Sequence, residues 1–272
     1  MTTTLATSRT VPGRAGELLA RLGDRAVLCD MYDATGSEVY HDLAGGNTLE
    51  IRELLAAIRP FPGPVLDLAA GSGRLTFPLL AAGRPVTALE LSPDMLRLLH
   101  ARLAGAPASL RGRCDTVQAD MSDFSLGRRY AVVVLGTTTV SLLDAAGRAG
   151  LYRAVRDHLA PGGRFLLSTV DLDPDDAGPA EAELLHVAES GRRYRMFEHW
   201  VAGSGTRTVT VFPAEPGVSG PVPVCTTSIN VLPVAVLEEE LDRAGFAVRS
   251  RIPLTGAGER HHDVLLEAEA LR

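Results

Sequence analysis

The stretch Asp67-Leu68-Ala69-Ala70-Gly71-Ser72-Gly73-Arg74 concentrates the residues of this chain that can do chemistry. It follows a short apolar run and opens a helical pattern. Its two glycines let the backbone pass close to a ligand, and the start of a helix favours an anionic group. Glu90 ends the next apolar run, 17 residues beyond Gly73. An acidic side chain there can accept hydrogen bonds from both hydroxyls of a ribose. Other chemistries lack their residues. All 27 basic residues are arginine, so there is no lysine for a Schiff base or a P-loop. Cys29, Cys114 and Cys225 are isolated and the seven histidines contain no HxxxH pair, so no metal site is expected.

Two nucleotide cofactors use this loop geometry. The nicotinamide fingerprint GxGxxG needs a third glycine where this chain has Thr76. It also has no use for an acid beside the pyrophosphate, where like charges repel. S-adenosylmethionine carries an ammonium and a sulfonium, and Asp67 suits both. The loop is read as a site for this methyl donor.

The elements that must position it follow from hydrophobic pattern. Residues 64–68, 85–89, 115–119 and 130–135 read as short, largely apolar strands, with helices from Gly73 to about 82, from Ser92-Pro93-Asp94 to about 104, and over 144–159. Pro161-Gly162-Gly163 reads as a turn into a fifth strand over 164–170. Buried parallel strands covered by crossover helices make a Rossmann-like doubly wound α/β sheet. Upstream lie two amphipathic helices, over 14–25 and around Leu49 to Ile58, flanking a mixed stretch from Asp30 to Gly46. Downstream the rhythm breaks into a helix near 179–190, three β-rich runs at 194–201, 206–212 and 222–231, a helix over 234–244, and strands near 246–252 and 263–269. The expected organisation is an N-terminal helical segment (1–60) covering the site, a Rossmann-like core (61–171), an inserted antiparallel β cap for substrate (172–232), and a C-terminal helix and strands (233–272) completing the core sheet.

Composition narrows the partners. The chain has 272 residues, 46% hydrophobic and 22% charged, with a net charge of −6. That mild acidity disfavours nucleic acid and anionic lipid. No apolar run reaches the roughly 18 residues of a membrane span, and the first ten residues lack a secretory pattern. A cytoplasmic protein is expected, with a homodimer left open.

Residues 67–73 with Glu90, Ser92-Pro93-Asp94-Met95-Leu96, Ala119-Asp120-Met121 and Leu159-Ala160-Pro161-Gly162-Gly163 occur in order across about residues 47–170. Together they resemble the class I S-adenosylmethionine-dependent methyltransferases. One departure is Ala69-Ala70, where Gly-Cys is usual; both residues are still small. The resemblance implies that Asp67, Ala69, Gly71 and Gly73 surround the methionine end and that Glu90 holds the ribose. It puts Leu91 and Met95 on the adenine, Asp120 and the Met121 backbone on the adenine edge, and Leu135 and Gly136 beside the methionine chain. Tyr32 and Tyr40 reach the cofactor from the N-terminal side.

A narrower likeness lies in residues 135–144 with Tyr32-Asp33 and Tyr40-His41-Asp42-Leu43. These resemble the methyltransferases of daptide biosynthesis, associated with ribosomal peptides whose C-terminus becomes an amine and is then dimethylated. The implied function is N-methylation of an amine in specialised metabolism, on a small molecule or a modified peptide. The alternatives are small-molecule O-methylation and, in other classes, an NAD(P)-dependent oxidoreductase or a silent S-adenosylmethionine-binding protein. His199, Tyr40 and Asp171 are the candidates for positioning or proton acceptance, with Thr138, Ser141 and Trp200 toward substrate. An O-methyltransferase would lean on His199 as base. Asp173, Asp175 and Asp176 form an acidic run that could attract a cation.

Overall fold

The computed structural model describes residues 10–171, 180–201, 203–254 and 262–271. In chain order the elements are α1 (Gly13–Leu22), β1 (Ala26–Asp30), α2 (Gly36–Gly45), α3 (Ile51–Ile58), β2 (Val65–Leu68), α4 (Thr76–Ala81), β3 (Val86–Glu90), α5 (Pro93–Gly105), α6 (Ala108–Arg111), β4 (Cys114–Gln118), β5 (Tyr130–Leu135), α7 (Ala145–His158) and β6 (Leu159–Asp171). Then follow β7 (Glu181–Val187), β8 (Arg193–His199), β9 (Thr206–Pro213), β10 (Val222–Asn230), α8 (Val234–Arg243), β11 (Phe246–Pro253) and β12 (His262–Ala270). No described helix is long and apolar enough to cross a membrane.

Seven strands form the core sheet in the order β11-β12-β6-β5-β2-β3-β4. Strands β2 and β3 are buried at every position, which is why they read as continuous apolar runs. Leu54, Ile58, Leu79, Leu80, Leu96 and Leu99 from α3, α4 and α5 cover one face. Leu151, Tyr152, Val155, Leu237 and Leu241 from α7 and α8 cover the other. Strand β2 pairs in parallel with both β3 and β5. The chain therefore winds outward to β4 and returns past β2, leaving a crevice at the carboxyl ends where such sheets bind ligands. This is the expected doubly wound α/β architecture.

The Pro161-Gly162-Gly163 stretch is an irregularity inside β6 rather than a turn ahead of it. The β5–β6 register shifts between Tyr130 and Val132, and Gly162 takes φ 76°. The helix expected from Gly73 starts at Thr76, because Gly73 is held at φ 93°.

A second sheet runs β1-β10-β9-β8-β7. Its last four strands are antiparallel, as an inserted cap requires. Two expectations change here. The stretch near 179–190 is not a helix: Glu181 to Val187 pairs along its length with β8. Its Glu, Ala and Leu favour a helix locally, and non-local pairing overrides that propensity. The N-terminal segment is not purely helical either. The first helix ends at Leu22, and β1 adds to the sheet in parallel with β10, Cys29 opposite Cys225. The mixed stretch after it contains α2.

Strand alternation sorts the cap sheet into two faces. Phe197, Phe212 and Val224 meet Val11 and Ala15 at α1. Tyr194, Val211, Cys225 and Cys29 meet Val39 and Leu43 of α2. On the α1 face Phe197 is 1% exposed, its ring 5.8 Å from Phe212 at 83°, with the guanidinium groups of Arg195 and Arg14 at 5.0 and 5.9 Å. Phe197→Ala should therefore cost about 3–5 kcal/mol of stability, read as a lowered midpoint in urea unfolding. An unchanged midpoint would show that this face is not packed as described.

Candidate functional site

A cavity of about 610 Å³ opens at the carboxyl ends of β2, β3 and β5, roofed by residues from the end of β1 and from α2. Asp67 stands at its floor. It is 1% exposed and accepts a 2.6 Å hydrogen bond from Thr76 Oγ1. Burial pushes its carboxyl up to about 7, against the pull of the Thr76 hydroxyl and the Arg74 charge.

The glycine loop divides its tasks. Gly71 lines the cavity at φ 56° with open space where a Cβ would stand. Gly73 does not line it: a Cβ there would lie 2.6 Å from Leu99 Cδ1, so this glycine serves packing. Glu90 orders the loop from below. Its Oε2 accepts from Gly71 N and its Oε1 from Ser92 N, both at 2.8 Å. Ser92 caps α5 by accepting from Met95 N at 3.3 Å, and its hydroxyl donates to the Tyr32 carbonyl at 2.9 Å. That bond joins the N-terminal roof to the cofactor floor.

Leu91, Met95, Asp120 and Met121 all line the cavity, Leu91 still 59% exposed. Asp120 Oδ1 accepts from Ser122 N and Oγ at 2.8 and 2.7 Å. Ala69 and Gly136 also line it, whereas Leu135 is fully buried in the core.

Sequence reasoning missed a polar network at the other end of the loop. Arg74 lines the cavity and donates to the Glu50 carboxylate, to Thr137 Oγ1, and at 3.1 Å to the Leu49 carbonyl. Glu50 also receives Thr137 N at 3.4 Å. The side chains of Arg74 and Glu50 are 11% and 3% exposed. Among the described residues the non-glycine positions with positive φ are Glu50, Ala69, Thr137 and Thr138, two of which, Glu50 and Thr137, belong to this network. Such conformations cost about 1–3 kcal/mol each and persist only where surrounding contacts enforce them. A buried glutamate before a helix carries no spacing signal; the arginine after GxG was the one available hint.

Tyr32 and Tyr40 both line the cavity, rings 5.6 Å apart and tilted 59°. Burial raises both phenols, so they present neutral rings and donors to the cavity. His41, next to Tyr40, shares a 2.7 Å hydrogen bond with Ser72 Oγ; burial and the Arg102 charge lower its pKa.

The other acceptor-side candidates lie elsewhere. His199 ends β8 opposite Glu181 and Thr208, five residues from Tyr194, whose hydroxyl donates to Asp42 of α2 at 2.8 Å. Five residues of strand span about 17 Å, which carries His199 away from the roof. Trp200 is 4% exposed and donates its indole N–H to the Ser204 carbonyl. Asp171 accepts from Val234 N at 3.3 Å at the start of α8. Ser141 is buried, its carbonyl accepting from Asn230 Nδ2 at 2.9 Å. Thr138 supplies a backbone kink at φ 55°, while its neighbours Thr137 and Thr139 line the cavity with Leu142 and Leu143. The acidic run of Asp173, Asp175 and Asp176 lies outside the described residues. Among the described residues no three His, Cys, Asp or Glu are grouped to hold a metal.

The expected ligand fits this floor: Asp67 for the ammonium, Glu90 for a ribose, apolar Leu91 and Met95 beside Asp120 for an adenine. A cation bound to Asp67 requires the ionised carboxylate, so binding expels a proton below the pKa near 7. The affinity for S-adenosylmethionine should fall roughly tenfold from about pH 7.5 to about pH 6. In Asp67→Asn calorimetry should find weaker binding without that slope. A slope that survives the substitution would place the titrating group elsewhere.

Comparison with known proteins agrees with this geometry. A family model described as a methyltransferase domain matches residues 65–163. The glycopeptide N-methyltransferase MtfA, solved with S-adenosylmethionine, is 41% identical with a TM-score of 0.69, covering 96% of this chain and 99% of that one. The dTDP-3-amino-3,4,6-trideoxy-alpha-D-glucopyranose N,N-dimethyltransferase of Streptomyces venezuelae is 34% identical over 65% of this chain and 81% of that protein. The cypemycin N-terminal methyltransferase of a Streptomyces species is 30% identical over 52% of this chain, a match spanning 57% of that protein's length. Loop, strand-end acids and overall likeness converge, and the chain belongs to the class I S-adenosylmethionine-dependent methyltransferases.

Proposed function

We propose that this enzyme N-methylates an amine on a peptide-type natural product. The observation that carries the reading is the charge of the cavity wall. Among the described residues Asp30, Asp33, Asp67, Glu90, Asp94 and Asp120 line it against one cationic side chain, Arg74, and none of those lining it is a histidine or cysteine. Such a wall draws in a cationic amine and offers no strong base.

An amine acceptor does not need one. An alkylammonium loses its proton at neutral pH for about 3–4 kcal/mol, and apolar surroundings such as Leu142, Leu143 and the two tyrosine rings lower that cost by desolvation. The neutral nitrogen would then take the methyl group in line, the N–C bond forming as the C–S bond breaks and S-adenosylhomocysteine leaves with the electron pair on sulfur, so that positioning by the cavity supplies much of the acceleration. A hydroxyl acceptor needs a base, and His199, the candidate for that task, is not on the wall.

The peptide part of the reading draws on the relatives. The glycopeptide N-methyltransferase matches nearly the whole chain, and the cypemycin enzyme is named for a peptide N-terminus. The likeness to daptide methyltransferases adds a C-terminal amine to the same class of acceptor. The reading places the enzyme in the cytoplasm, where S-adenosylmethionine is made.

The test is mass spectrometry after incubation with S-adenosylmethionine and a matched panel. The panel holds peptides with a free N-terminal amine, peptides ending in a C-terminal amine, amino sugars, and the hydroxyl analogue of each. Added methyl masses on peptide amines are expected. Methylation confined to the amino sugars would discard the peptide acceptor, and methylation of hydroxyls alone would discard the amine. His199→Ala should retain a rate within roughly threefold of the original, a barrier change below about 0.7 kcal/mol; a far larger loss would restore histidine as a base.

A further inference from the structure

Two of the chain's three cysteines, Cys29 and Cys225, stand 196 residues apart in sequence and 3.1 Å apart at their sulfurs. Both are buried free thiols, and neither lines the cavity, so no step of methyl transfer uses them. We propose that they form a hydroperoxide-sensitive dithiol, whose oxidation to a disulfide ties the roof strand β1 to the cap sheet and slows cofactor exchange. The inference does not depend on which amine is methylated.

The backbone brings the pair together. Cys29 of β1 is the register partner of Cys225 of β10. Neighbouring strands lie about 4.7–4.9 Å apart, inside the roughly 4.4–6.8 Å that separates the Cα atoms of a disulfide. Both side chains belong to one face of the sheet, where Met31, Val39 and Leu43 pack with them. A bond between the sulfurs therefore needs little backbone movement. Access comes from the sheet edge. Strand β1 is five residues long, pairs only with β10 among the described strands, and leaves Val27 and Leu28 exposed. Short edges of this kind open locally, which admits an oxidant as small as hydrogen peroxide.

The two thiols are not equivalent. The hydrogen bond with Cys225 holds the Cys29 thiol below its ordinary value, and it raises Cys225 in turn. Burial and the charges of Asp33 and Asp30 oppose that pull on Cys29 without cancelling it. Cys29 is therefore the nucleophile, since the thiolate is the reactive form. Its sulfur attacks the peroxide, and an S–O bond forms as the O–O bond breaks. One oxygen stays as the sulfenic acid; the other leaves as hydroxide and takes up the proton that Cys29 had released. The Cys225 sulfur then attacks Cys29, forming the S–S bond, and its own proton leaves with the sulfenic hydroxyl as water. Two thiols and one peroxide give a disulfide and two waters, with sulfur oxidised and peroxide reduced. A thiol reductant reverses the bond by exchange.

The place of the bond gives it an effect. Strand β1 leads into Tyr32 and then α2, which carries Tyr40 and Ala44, and all three residues line the cavity. Cofactor exchange requires this roof to part from the floor, where Tyr32 is bonded to Ser92 and His41 to Ser72. A crosslink at the root of the roof restrains that movement, and opening of such covers sets the release rate in many enzymes.

The test exposes the full chain to hydrogen peroxide, with no acceptor present, and reads two quantities. Peptide mass spectrometry without reductant should find Cys29 joined to Cys225, with the loss of two hydrogen atoms. Cys114, whose thiol burial pushes up to about 11, should stay reduced. Release of labelled S-adenosylhomocysteine into an excess of unlabelled ligand should slow by about tenfold, and a thiol reductant should restore the original rate. Cys225→Ser should lose both responses; should it not fold, Cys29→Ser is read in the same way. A treated chain in which Cys29 and Cys225 remain unlinked would overturn the proposal. So would a disulfide that leaves release unchanged, or a slowing that persists in Cys225→Ser.

Discussion

The ion pair between Glu50 and Arg74 fastens stretches of chain that are far apart in the sequence. Glu50 precedes α3, Arg74 belongs to the glycine loop, and Thr137, bonded to both, begins the segment after β5. A buried pair of this kind adds little net stability when intact, but removing one partner leaves an uncompensated charge and costs several kcal/mol. The pair is better understood as a register pin. It sets where α3 starts and how the β5 exit bends, and so fixes the shape of that end of the cavity. The left-handed backbone at Glu50, Thr137 and Thr138 is sustained by the same contacts.

Around that pin the floor is built from acids that folding alone would not favour. Asp67 is almost fully buried with a carboxyl raised to about 7. A group raised in the folded state contributes stability at low pH and loses it as pH rises through that value. The free protein therefore carries a cost near neutral pH that a cationic ligand offsets. Glu90 differs: two backbone N–H groups already satisfy it, so it stabilises the loop before any ribose arrives.

The roof depends on a pairing across almost the whole chain. Strand β1 runs parallel to β10, with the Cys29 and Cys225 sulfurs 3.1 Å apart in a buried core. This pairing carries Tyr32 and α2 over the cavity. Further bonds close the roof at its margins, Tyr32 to Ser92, His41 to Ser72, and Asp42 to Tyr194. The N-terminal segment is thereby shared between the cap sheet and the cofactor site, and moving one moves the other.

The floor of the site was legible in the sequence because its parts are local. Asp67, Gly71 and Glu90 lie at strand ends, and buried parallel strands announce themselves as apolar runs with an acid where they stop. Tyr32 and Tyr40, which line the cavity, were picked out through the family resemblance in a stretch otherwise unassigned. What failed depends on distance along the chain. Arg74 finds Glu50 and Thr137 across 24 and 63 residues, and β1 finds β10 across 196 at the cysteine pair. Glu181 to Val187 reads as a helix until β8 pairs with it, and His199, Asp171, Ser141 and Trp200 read as ligands until the sheets place them in other contacts. The sequence by itself determined the family, the sheet and the acids and glycine at strand ends that line the cavity, since each is encoded within a few residues of itself. Only the tertiary structure decided which side chains reach the cavity, because strand pairing brings distant residues together in a register that no local spacing specifies.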